Sequence, residues 1–147
     1  MSIKNSSIHT KKYRRVFSAV HMVYRLVNST FNTKELLLRL TRLVCQIIHA
    51  DSSDIYLVDS AKKKIALIAA FNGKINLWME KRADIMEVPQ EERDVAEGSS
   101  IHKKRLIGLP LVADDNMGAI FIRRKKNKPP FGTFEGEILS VIAEQAV

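Results

Sequence analysis

Residues 106–122 read LIGLPLVADDNMGAIFI, two apolar runs of strand length separated by Asp114, Asp115 and Asn116. Each run is too short for an ordinary helix and too apolar for a solvated loop. Aspartate and asparagine between them favour a tight turn, because their short side chains bond to nearby backbone. Leu106 to Val112 and Met117 to Ile122 therefore read as an antiparallel hairpin. Pro110 removes one backbone donor from the first run, which places it at an edge, a bulge or a break facing a ligand.

A second hairpin stands upstream. Ile55 to Val58 and Ile65 to Phe71 are again apolar runs, joined by a polar turn with Asp59, Ser60 and three lysines. Before it, Asn32 followed three residues later by Glu35 makes a capping box. The helix it opens carries a stripe of Leu36, Leu40, Leu43 and Ile47 with Leu37, Val44 and Ile48 beside it, a face broad enough to cover a sheet. His49 falls at its end, where a cation suits the helix dipole. Downstream of the 106–122 hairpin, Arg123 to Pro130 reads as a charged, solvated exit loop. Thr133 then caps a closing helix with Ile138, Leu139, Ile142 and Ala146 on one side. That helix reaches Val147 without a stop signal and reads as truncated.

The front of the chain is different. Residues 1–10 are polar, without periodicity, and read as a disordered tail. Over residues 11–30, Val16, Val20, Val23 and Val27 recur at steps of four, three and four, with Tyr13, Phe17 and Tyr24 widening the stripe. The formal charge of +8 is concentrated here: seven bases and no acid precede Glu35, leaving 17 bases against 16 acids in the rest. Such a helix suits either a two-stranded coil with the valines as its seam or an anionic lipid surface. Its acid-poor, basic character also fits an organellar transit peptide. The organisation is thus a tail (1–10), a signalling or dimerisation helix (11–30) and one α/β domain (31–147).

Composition limits the function classes. With 46% hydrophobic and 27% charged residues in 147, the chain is long enough for one domain with a core. No run approaches the roughly 20 apolar residues of a membrane span. Cys45 is the single cysteine and lies on an apolar helical pattern, so no internal disulfide forms and a reducing cytoplasm is expected. G-x-S-x-G, Gly-rich phosphate, H-E-x-x-H and CxxC patterns are all missing, which argues against an enzyme. The clusters Arg123 to Lys126 and Lys62 to Lys64 lack the interleaved aromatics or recognition helix of a nucleic-acid interface.

Three stretches, taken together, resemble a GAF domain. The first runs from Glu35-Leu36-Leu37 through His49-Ala50-Asp51 into Ile55-Tyr56-Leu57-Val58-Asp59. The second is Leu109-Pro110-Leu111 with Met117-Gly118-Ala119-Ile120-Phe121-Ile122. The third is Phe131 to Val147, with Leu139, Ala143 and Gln145 in register with the family's closing helix. The resemblance implies an α+β fold: a central antiparallel sheet of about six strands, helices on one face, and a ligand-pocket loop on the other. The tract from Asn72 to Lys104 supplies that loop, though without the glycine-valine signature and well-defined helix many members carry there. A connection of this length is typically a binding loop or lid. Phe71, Trp78, Met86, His102 and Arg105 are then the candidate ligand contacts, with the alternative that Trp78 and Met86 only seal the open sheet face.

In function, the resemblance implies a cytoplasmic sensory or regulatory module of a multidomain signalling protein, a histidine kinase or a cyclic-di-nucleotide enzyme. It would bind an unknown small molecule, dimerise through its N- and C-terminal helices, and pass the signal to a C-terminal output domain without catalysis of its own. A degenerate domain serving only dimerisation or docking is the alternative. A covalent bilin would need a cysteine on the strand face or lid. Haem or iron would rest on His102 alone, and the echo of a cyclic-nucleotide motif in Asn127-Lys128, Phe131 and Glu135-Gly136 is broken at its acids. A redox role known in a few relatives needs several cysteines.

Overall fold

Leu40, Val44 and Ile48 stand on one side of helix α1 (Thr33–Ile48) and are buried beneath it. The computed structural model in which they were located describes residues 33–59, 63–113 and 116–145. The tail, the helix read over 11–30 with Val16, Val20, Val23 and Val27, the Asn32 cap, and Ala146 lie outside the described residues. His49 ends α1 in the left-handed region with φ +61°, and the Ala50 N–H donates back to the Cys45 carbonyl at 3.1 Å. This is a Schellman closure in which histidine occupies the place glycine usually takes.

Six strands follow: β1 (Ser52–Asp59), β2 (Lys64–Phe71), β3 (Asn76–Asp84), β4 (Ile101–Lys103), β5 (Leu106–Ala113) and β6 (Asn116–Arg123). They form one antiparallel sheet in the order β3-β2-β1-β6-β5-β4, so both hairpins exist and β1 joins them through β6. Pro110 pairs with Ala119, beyond the point where the short β4 has ended. Beyond Gly108, β5 is therefore an outer strand, where a proline is tolerated.

The two faces of the sheet are covered differently. Ile55, Ala69, Ile107, Leu111, Ile120 and Ile122 face α1 and the closing helix α3 (Thr133–Gln145), whose Ile138, Leu139 and Ile142 complete the main core. Ser53 also faces this side and donates its hydroxyl to the Thr41 carbonyl at 2.6 Å. Thr133 is already inside α3, and Glu135 reaches back to the Gly132 N–H at 3.2 Å, so the capping contact comes from Glu135.

The tract from 72 to 104 departs from the expected long loop. It holds β3, a 3-10 turn (Ile85–Glu87), helix α2 (Gln90–Ala96) and β4. The strand escaped its pattern because Glu80, Lys81 and Arg82 interrupt the apolar alternation; an edge strand tolerates and often carries such charges. Its hydrogen bonds come from β2 across the turn at Gly73. α2 lies over the face opposite α1, where Val95 meets Ala119 and Phe121, with Tyr56, Ile101 and Leu106 around them.

Candidate ligand-binding site

On the α2 side of the sheet, strand alternation turns Asp54 and Tyr56 of β1 and Phe121 and Arg123 of β6 the same way. Phe121 is fully buried and meets Tyr56 edge to face, ring centroids 5.7 Å apart. Gly108 on β5 leaves room for it: a Cβ there would lie 2.6 Å from the Phe121 ring. The aromatic pair therefore occupies the space between sheet and α2.

Arg123 closes the same region. Its guanidinium donates to Asp54 at 2.5 Å and reaches Glu92 of α2 at 3.4 Å, and it lies 5.6 Å from the Phe121 ring centre. Burial raises the Asp54 carboxyl above its usual range, although the Arg123 charge and hydrogen bond pull it back down. Burial also pushes the Tyr56 hydroxyl up to about 12, with Glu92 and Asp54 adding to the effect. Tyr56 thus stays neutral, and the ion pairs fasten α2 to the sheet.

The candidate contacts named from sequence do not gather in this space. Trp78 packs against the main core on the α1 side, opposite Ala69 in β2, so it does not seal the face beneath α2. Met86 is 68% exposed on the 3-10 turn, where its sulfur accepts from Arg93. His102 is exposed on β4 beside Gly136 of α3; a Cβ on that glycine would lie 2.9 Å from its Nδ1. Arg105 donates from Nε to the Lys128 carbonyl at 3.1 Å and so braces the exit loop. Phe71 does line a cavity, and that cavity is elsewhere.

It is a cleft of about 530 Å³ at the edge where α1 ends, β1 begins and β2 turns into β3. Arg42, Cys45, Asp51, Phe71, Lys74 and Lys125 are among its walls. Cys45 forms part of the floor and is buried, and that burial raises its thiol to about 11 despite a hydrogen bond with Ser53.

The exit loop is also not the solvated run its four consecutive bases imply. Arg123 is held as described, and Arg124 points inward. Its Nη2 donates to the Ile48 carbonyl at 2.8 Å and its Nε to the His49 carbonyl at 3.1 Å, which satisfies carbonyls left open at the end of α1. The same side chain donates to the carbonyls of Pro129 and Pro130, lies 3.6 Å from Glu135 of α3, and stacks over Phe131 at 4.4 Å. Only Lys125 and Lys126 of that run are exposed. The signal available in sequence was the position of Arg124 immediately after a central strand; its partners come from three distant segments.

No family model matches the sequence, and none of the curated proteins does. The structure matches others over most of its length. The GAF domain of an Acinetobacter phosphoenolpyruvate-protein phosphotransferase superposes with TM-score 0.69 at 16% identity, covering 89% of each chain. The fold is GAF-like. A methyl-accepting chemotaxis protein fragment, residues 122 to 287, gives TM-score 0.72 at 9% identity over 84% of this chain and 92% of that one. A phycocyanobilin-bound GAF domain from a cyanobacterial phytochrome gives 0.66 at 13% identity over 89% and 91%.

Proposed function

We propose that this chain is a sensory and regulatory module of a larger cytoplasmic signalling protein, a histidine kinase or a cyclic-di-nucleotide enzyme, and that it does no chemistry of its own. The observation that carries this reading is the GAF-like fold, which is similar to domains from a phosphotransferase, a chemotaxis protein and a phytochrome. Its mode of action follows from how the helices are backed. α1 and α3 share one core against the sheet, and Arg124 joins the end of α1 to the start of α3. A displacement of the sheet edge is thereby passed to the closing helix, and from there to an output domain.

Dimerisation belongs to the same proposal, with Val16, Val20, Val23 and Val27 as the seam of a parallel pair. Sedimentation velocity on the chain at tens of micromolar tests it. The wild type is expected to be a dimer and the Val20→Asp/Val23→Asp double variant a monomer. A wild-type monomer would count against the relay.

The filled space beneath α2 favours a second reading, a module used only for docking or dimerisation. Phe121 and Tyr56 leave that site packed, with Arg123 fastening α2 over it. The two readings separate in a thermal-shift screen: a ligand at 100 times its dissociation constant adds about 2.7 kcal/mol, and a scaffold responds to none.

A further inference from the structure

The edge cleft has the charge and shape of a small-anion site. Arg42, Lys74 and Lys125 line it against a single carboxylate, Asp51, so the walls carry an excess of two positive charges. Among the described residues none of these three side chains is paired with a carboxylate, whereas Arg39, Lys64, Lys103, Arg123 and Arg124 all are. Three unpaired cations around one concavity repel one another, and an anion bound among them relieves that repulsion.

The backbone beneath them is already fixed. Asn72 accepts from the Lys74 N–H at 3.0 Å and the Ile75 N–H at 2.8 Å, which shapes the turn that carries Lys74. Gly73 takes φ +95° there and approaches so closely that a Cβ would lie 3.2 Å from the Asp51 carbonyl. Asp51 in turn accepts from the Lys125 N–H at 2.8 Å. The ends of α1, β2 and β6 are thereby held in a set arrangement, and Arg42 projects from the exposed side of α1. Half-buried Phe71 adds an aromatic wall, and a volume of about 530 Å³ suits a small organic molecule.

We infer that this cleft binds a small phosphate monoester with an apolar or aromatic body, the phosphoryl group between Arg42, Lys74 and Lys125 and the body against Phe71. A phosphate monoester carries roughly −1.5 to −2 at neutral pH, which matches the excess of two, whereas a carboxylate supplies half of it. Arginine adds a planar two-pronged donor and the lysines act as point charges. The inference stands on the cleft and not on the signalling reading.

The test is a ¹H–¹⁵N NMR titration of the full chain with phenyl phosphate, with benzoate, phenol and inorganic phosphate as controls at matched ionic strength. Phenyl phosphate is expected to saturate, with amide shifts centred on Cys45, Asp51, Gly73 and Lys125. It should bind more tightly than any control, and several-fold more weakly at pH 5 than at pH 7.5, where the second phosphate proton is lost. Arg42→Gln and Lys125→Gln, both exposed, should each weaken it about tenfold while leaving the melting temperature unchanged. Shifts that merely follow salt, shifts centred on Tyr56 and Phe121, or binding indifferent to both variants would overturn the inference. None of those outcomes alters the sedimentation test of the dimeric module, so the two can fail separately.

Discussion

Arg124 brings one permanent charge to a spot where two helix-end carbonyls, two proline carbonyls, a glutamate and a phenyl ring all face it. Lysine keeps the charge but loses the planar fork that reaches several acceptors at once. Arg124→Lys is therefore expected to cost about 1–3 kcal/mol, read as a lower urea midpoint at unchanged slope. Cys45 gives a second prediction. Its folded pKa is raised from 9.0 to about 11, so the fold keeps the thiol proton that the unfolded chain loses. The stabilisation is fully present below pH 9 and is lost as pH rises towards 11. In that window the wild type should lose up to about 1.4 kcal/mol per pH unit more than Cys45→Ala, measured by denaturation at a series of pH values. The buried position of Cys45 was legible in its apolar helical spacing. That of Arg124 was not, because four consecutive bases look alike until their neighbours are known.

The same contrast holds for whole elements. α1, α3 and the two hairpins announce themselves through apolar periodicity, since each buries a broad face in the shared core. β3 does not: its charges suit an edge, and β2 supplies its register. α2 has only seven residues and two buried side chains, Val95 and Ala96, too little for a periodic signal. It is held by that apolar contact together with the Arg123–Glu92 and Lys103–Glu91 pairs. Glu92→Gln is expected to speed amide exchange over residues 90–96 severalfold while leaving β1 and β6 protected. Hydrogen exchange read by mass spectrometry checks this, and equal rates in both proteins would show that the ion pair contributes nothing to holding α2.

For the molecule as a whole, the order of elements was enough to suggest a GAF-like sheet, because that order dictates which faces must be covered. The site was much less legible. Arg42, the Phe71–Lys74 turn and Lys125 come from three separate stretches of sequence and meet only because α1, the β2–β3 turn and the end of β6 lie at one corner. Trp78 drew notice as the single tryptophan, yet its size is used in the core. The space under α2, where the pocket was expected, is filled by Phe121 and Tyr56. We propose that this fold works as a ligand-responsive dimeric module. Native mass spectrometry of the purified chain across a concentration series tests it most directly. A dimer carrying a bound small anion, removed by Arg42→Gln, is the expected result; an empty monomer at every concentration would contradict the account.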